Sequence, residues 1–179
     1  MTDRSDAHLI DDIKTVHREA FNELMKRYQE PVYRIAYGFG KNRENALDLT
    51  QEIFMKAYHK IDRLDDSDRF LPWLRTLAHH EGINWTRKHK KHAMIEDFDE
   101  TIHGDIRPQD EDLAMTHRRE LVQCLFRLNT RYRLAVVLRY FENMSIREIA
   151  VTMQCSEAMV KNLLFRSLSK LRSALNLKQ

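Results

Sequence analysis

The 179-residue chain is poor in the residues that punctuate folds: it has 4 glycines, 3 prolines and 2 cysteines. So few turn-formers do not suit an all-β sandwich or barrel, whose many short strands each need a turn. They fit a soluble, helix-rich protein with short connections. Cys124 and Cys155 alone make neither a disulfide framework nor a zinc quartet, and both stand in apolar surroundings where buried thiols are usual. A redox role for the two thiols stays open. No apolar run approaches the ~20 residues of a spanning helix. The N-terminal MTDRSDAHLIDDIK carries acids where a secretory peptide carries positive charge and an apolar core. A cytoplasmic protein without membrane insertion of its own is expected. Also missing are a phosphate-binding glycine loop, a Ser or Cys nucleophile with a placed His, and paired carboxylates in a plausible cleft. The chain is therefore expected to be no enzyme, with no catalytic residue, resident metal or cofactor.

What is present is charge, and it is segregated. The formal net charge is only +3, yet residues 1–60 balance 10 Lys and Arg against 10 Asp and Glu. Pro72–His92 has five cations (Arg75, Arg87, Lys88, Lys90, Lys91) against Glu81 alone. Residues 93–117 reverse this, with Arg107 against eight acids, and residues 118–179 carry 12 Lys and Arg against 4 Asp and Glu. Two basic blocks flanking an acidic spacer read as two polyanion-binding modules on a link that does not itself bind polyanions.

Hydrophobic periodicity is helical throughout. Phe21, Leu24, Met25 and Tyr28 recur at three and four, Pro31 suits the first turn of a second helix, and Gly38 and Gly40 weaken its end. Asn42 is an N-cap for a third helix whose core stripe is Ala46, Leu49, Ile53, Ala57 and Ile61; Asp48, Gln51, Glu52, Met55 and His59 lie on its other side. The polar DRLDDSD of residues 62–68 breaks the pattern. Another helix starts near Phe70, with Phe70, Leu74, Leu77 and Ala78 toward the core, although Glu81 and Gly82 blur the period. Trp73, His80, Asn84, Arg87 and Lys91 form a polar and aromatic stripe on its flank. Residues 93–116 lack a sustained period and read as a linker. Leu121, Leu125 and Leu128 then mark one helix, and Leu134, Val137, Leu138 and Phe141 the next, entered from Asn129-Thr130.

The most specific stretch is SIREIAVTMQCSEAMVKNLLFRSLSKLRSAL, Ser145 to Leu175. Ser145 and Glu148 form a capping box, and Ser156 caps a second helix with core positions Val160, Leu164, Leu168, Leu171 and Leu175. Small Ala150 ten residues before apolar Val160 is the spacing of a helix-turn-helix, in which the first helix lies close under the second. Gln154 stands in the turn, where Gly is common. The second helix would present Glu157, Lys161, Asn162, Phe165 and Arg166 outward near its start, where recognition helices contact base edges and phosphates. An αα-hairpin with a solvated charged face is the competing reading, and Phe165 has a core role as its alternative.

The order and spacing of these segments resemble the extracytoplasmic-function (ECF) sigma factors of bacterial RNA polymerase. ALDLTQEIFMKAYHKI is similar to that family's core-polymerase-binding segment, RFLPWLRTLAHHEGINWTRKHKK to its minus-ten element segment, and RYRLAVVLRYFENMSIREIAVTMQCSEAMVKNLLFRSLSKLR to its minus-thirty-five domain. The resemblance implies an all-α protein of two small helical domains, 10–92 and 117–179, joined by an acidic linker, 93–116. Asp48, Gln51, Glu52 and Met55 would face core polymerase. The loop from Asp62 to Arg69 would help capture a flipped base. Trp73, His80, Asn84, Trp85, Arg87, Lys88 and Lys91 would hold the melted non-template strand by stacking and cationic grip. Ser156, Glu157, Lys161, Asn162, Phe165 and Arg166 would meet the minus-thirty-five duplex. An anti-sigma factor is a further implied partner. The chain departs from the family at His79-His80, where Arg-Asn is usual, and at Asn84, where Asp is common, so the preferred minus-ten sequence does not carry over. A metal site on His79-His80 or His89-His92 has only weak compositional support, because adjacent histidines on a helix point apart. The runner-up function is a stand-alone helix-turn-helix regulator, which leaves the third helix's polar face and the Trp73–Lys91 stripe without a task.

Overall fold

The computed structural model describes residues 4–15, 19–40, 42–93 and 113–175, apart from the side chains of 90–93 and 113–119. Every regular element among the described residues is helical. The helices are α1 (Asp6–Thr15), α2 (Ala20–Phe39), α3 (Arg43–Lys60), α4 (Phe70–Ala93), α5 (Leu113–Arg127), α6 (Thr130–Val136), α7 (Ile146–Thr152) and α8 (Glu157–Ala174). Short 3₁₀ turns at Ile61–Arg63 and Ser67–Arg69 join α3 to α4, and α6 runs into a π-turn at Val137–Phe141. Most of the expected linker lies outside the described residues.

Local chemistry accounts for the starts. The Asn42 side chain accepts from the Asn45 amide at 2.8 Å, and Asn129 accepts from the Arg131 amide at 3.1 Å. Each satisfies one of the donors that a helix start leaves orphaned. Pro31 does not open a separate helix as expected but lies inside the continuous 20-residue α2. Its ring removes one amide from the ladder, at a cost of ~3 kcal/mol. Burial of Leu24, Val32, Ile35, Ala36 and Phe39 along the same helix outweighs it, since each large apolar side chain contributes roughly 1.5–3 kcal/mol.

The N-terminal helices pack around Phe70, Leu24, Ile35, Leu49, Ile53 and Leu74, all essentially without solvent contact. The same buried cluster continues into the C-terminal half through Leu134, Leu138, Met144, Ile149, Met153 and Val160. A smaller cluster of Cys124, Leu125, Leu128, Val136 and Leu171 holds α5 against α6 and α8. On α8 the buried face is Val160, Leu163, Leu164, Ser167 and Leu171; Leu168, expected in the core, is 41% exposed. Ser167 replaces it there because its hydroxyl donates to the carbonyls of Leu163 (2.6 Å) and Tyr132 (3.2 Å). A small, satisfied polar group lets α6 lie close. Phe141 likewise leaves the core, at 46% exposure, because the π-turn rotates it outward.

Candidate polymerase and nucleic-acid interfaces

On α3 the stripe Ala46, Leu49, Ile53 and Ala57 is fully turned inward, which leaves Asp48, Gln51, Glu52 and Met55 on the solvent side. Met55 is 63% exposed and Leu47 44%. Exposed, adaptable apolar groups among carboxylates and an amide suit a protein partner better than a nucleic acid.

On α4, Asn84, Arg87 and Lys88 are exposed, whereas Trp73 and His80 are half-buried. The Trp73 ring lies 5.7 Å from that of Phe70. The Lys91 side chain lies outside the described residues. Trp85 departs from expectation. It is only 8% exposed, belongs to the core cluster and is stacked under His89 with centroids 3.9 Å apart and planes 22° apart. His89 is fixed there by a 2.8 Å contact from its Nδ1 to the Trp85 carbonyl. The indole to which the family resemblance gives a melted strand is a packing residue stacked against His89.

Two features of α4 escaped sequence reasoning. Glu81 is 5% exposed and paired with Lys56 of α3, with Lys60 at 3.9 Å, so a carboxylate occupies the core-facing stripe. Gly82 is the point of closest approach to α2: a Cβ there would lie 2.2 Å from the Phe39 ring. His79 is buried as well, 5.9 Å from Phe39 by ring centroids, and burial, with His80 and Arg131 nearby, pulls its pKa down to about 4. It is neutral at physiological pH and part of the packing. The turn before α4 is ordered by Asp66, which accepts from the Asp68 amide at 3.1 Å and pairs with Arg69 at 3.3 Å.

The α7–α8 pair is built as its sequence indicates. The capping box is complete: the Glu148 amide donates to the Ser145 hydroxyl at 3.2 Å, and Glu148 accepts from the Ser145 amide at 2.7 Å. Gln154 adopts φ 50° in the turn, the left-handed conformation for which Gly is usual. The Ser156 hydroxyl accepts from the Met159 amide at 3.2 Å, so its main task is the cap. Glu157, Lys161, Asn162, Phe165 and Arg166 all face solvent. Phe165, 75% exposed, bridges no core. Val151 on α7, at 66%, adds an apolar group beside this face that periodicity did not single out.

Among the described residues, no group of three or more His, Cys, Asp or Glu is placed to hold a metal, and no helix is long and apolar enough to cross a membrane. A helix-turn-helix whose second helix exposes Lys161, Asn162 and Arg166, together with the polar stripe of α4 and the partner-type face of α3, defines a multi-contact helical transcription factor. Family comparison makes this specific. The chain matches the sigma-70 region 2 model over residues 24–92 and the sigma-70 region 4 model over residues 118–171. It is 33% identical to the ECF RNA polymerase sigma factor SigM of Bacillus subtilis, covering 87% of this chain and 94% of that one. It is 25% identical to SigW of the same organism, covering 93% and 94%. In fold it is similar to the sigma factor RpoE of Bartonella quintana, solved with the anti-sigma factor NepR, at a TM-score of 0.73 and 20% identity over 89% of this chain and 98% of that one. CnrH, solved with the cytosolic domain of CnrY, gives a TM-score of 0.68 at 22% identity over 97% and 99%. The chain belongs to the ECF sigma factors of the sigma-70 family.

Proposed function

We propose that this chain joins core RNA polymerase, opens the minus-ten element with its N-terminal helices and reads the minus-thirty-five element as duplex with α8. Matches to both sigma regions in family order carry this reading over a stand-alone helix-turn-helix regulator. Within it, 10–92 and 117–179 act as the two functional domains and 93–116 as their link. Asp48, Gln51, Glu52 and Met55 form the polymerase face. Trp73, His80, Asn84, Arg87, Lys88 and Lys91 grip promoter DNA near the minus-ten element, with Trp85 supporting the helix from within. Glu157, Lys161, Asn162, Phe165 and Arg166, started by the Ser156 cap, meet the minus-thirty-five element. The protein works in the cytoplasm, performs no catalysis of its own and is held in check by an anti-sigma factor, as the partners of the similar solved structures indicate. Each small module makes few contacts, so DNA binding is weak alone and strong once polymerase supplies a second anchor and raises the effective concentration. The test is run-off transcription with purified bacterial core enzyme on a promoter library. Absence of any promoter-specific transcript together with absence of core binding defeats the reading.

A further inference from the structure

A cleft of about 450 Å³ lies beside α4, bordered on its other side by the turn at Asn129 that opens α6. Small-molecule sites occupy roughly 300–1,000 Å³, so the space suits one compact ligand. Its floor is apolar and buried: Phe39 of α2 is 4% exposed, Leu134 of α6 2%, and Met153 just past α7 7%. Its rim is basic. Arg87 and Arg131 both line it and both are exposed, and no Asp or Glu lines it among the described residues. Neither guanidinium has an ion pair among the described residues. Arg4, Arg34, Arg69 and Arg75, by contrast, each sit against a carboxylate.

The floor also holds a polar atom without a partner. His79 lines the cleft and is 5% exposed, and its Nδ1 is buried with no hydrogen bond among the described residues. Buried polar groups are nearly always paired, so an orphan of this kind calls for an explanation. Burial, with His80 and Arg131 nearby, keeps the ring neutral at physiological pH. It therefore offers a hydrogen bond and no charge.

These groups divide the recognition of a ligand between them. Charge falls to the two planar guanidiniums, whose forked donors match phosphate oxygens in pairs. The apolar floor removes a ring from water. A plain hydrocarbon ring would leave His79 Nδ1 as unpaired as before, whereas a heteroaromatic ring carries nitrogens and carbonyls in its plane that can pair with it. A ring of that kind joined to a phosphate is a nucleotide.

We propose that this cleft binds a nucleoside monophosphate, its base on the Phe39–Leu134–Met153 floor against His79 and its phosphate at the Arg87–Arg131 rim. The site rests on the geometry of the free chain and not on the sigma-factor reading, so its failure leaves that reading untouched.

The experiment is isothermal titration calorimetry of the full-length protein with AMP, GMP, CMP and UMP, with the matching nucleosides and with inorganic phosphate. At least one monophosphate should bind one to one, and at least about tenfold more tightly than its nucleoside or phosphate alone, because each fragment makes only part of the contacts. Arg131→Ala and Arg87→Ala should each weaken it about tenfold. Arg172→Ala, which removes an exposed cation of α8 outside the cleft, should change nothing. His79→Phe keeps a ring in the floor without the nitrogen; it should weaken the monophosphate and leave the weaker binding of inorganic phosphate as it was. If circular dichroism shows that His79→Phe has lost helix, the arginine variants decide alone. Absence of binding by all the monophosphates, binding no tighter than that of phosphate, or a loss that Arg172→Ala reproduces overturns the site, the last two by showing a general attraction of a basic chain for anions. Binding of a single-stranded tetranucleotide where no monophosphate binds also overturns it, and assigns the arginines to a strand.

Discussion

Replacing Gly82 with Ala tests how tightly α4 is seated on α2. The added Cβ would lie 2.2, 2.3 and 2.6 Å from Cδ2, Cε2 and Cγ of Phe39. Carbon atoms rest at ~3.5–4.0 Å, so the ring must retreat by more than about 1 Å. It has little room, being 4% exposed and packed beside His79. Overpacking of this kind costs about 1–3 kcal/mol. Ala returns about 1 kcal/mol through its better helix propensity. Because three atoms of one rigid ring are overlapped, we place the cost toward the upper end and expect a net loss of about 1–2 kcal/mol. At ~2–4 °C per kcal/mol for a chain of this size, Tm falls by roughly 2–8 °C. Thermal melts of Gly82→Ala, Phe39→Leu and the double variant form a cycle. The narrower Leu leaves space for the Cβ, so the double variant should be more stable than the sum of the singles by at least ~1 kcal/mol. A Gly82→Ala protein that melts at or above wild type refutes the reasoning, since helix propensity would then outweigh a contact that was never tight.

Three further outcomes are expected. Gln154→Gly, which relieves a left-handed non-glycine residue, should stabilise the chain by about 0.5–1 kcal/mol in a thermal melt, whereas Gln154→Ala should not. His79 has a folded-state pKa of about 4 against an ordinary 6.5. The unfolded chain therefore binds its proton first as pH falls, and stability present above about 6.5 is lost progressively toward 4, by roughly 3 kcal/mol at most. His79→Leu should flatten the Tm profile over that window, and an equally steep profile would show that other groups govern it. Lys161→Ala or Asn162→Ala should alter base preference upstream by about 1–3 kcal/mol per lost contact, read by competition between promoter variants. Lys88→Ala should instead weaken all sequences alike and lower the salt slope by about 1.

Signals contained in one short stretch were legible in the sequence. The Asn42 cap, the Ser145–Glu148 box and the Ser156 cap all need partners within three residues, and each is made where the spacing places it. So is the division of α3 into a buried stripe and an exposed polar face. Pairings across the chain were not legible: Arg133 meets Gly38 and Glu142 meets Arg34 and Arg75 at separations that no periodicity encodes. Charge segregation even pointed the other way. Two basic blocks flanking an acidic spacer read as two polyanion-binding modules on a link, and that composition gives no hint that an acid of the second half is buried between arginines of the first.

Trp85 and Phe165 show where the rule for aromatic residues in basic stretches breaks. Both stand among cations, yet Trp85 is 8% exposed and Phe165 75%. The difference is helical phase. On α8 the buried positions are 160, 163, 164, 167 and 171, and 165 falls off them. On α4 the inward positions 70, 74, 77 and 78 continue at 81 and 85 at the same three-and-four spacing. Glu81 hid that continuation, since a carboxylate ordinarily ends an apolar stripe. With Lys56 and Lys60 of α3 supplying the countercharge, the acid is admissible inside, and the stripe runs on to Trp85. A buried acid is therefore allowed where a neighbouring helix carries cations at i and i+4 facing it. With that allowance the phase of α4 assigns Trp85 to the core and leaves Asn84, Arg87 and Lys88 on the exposed face that the proposed function gives to promoter contact.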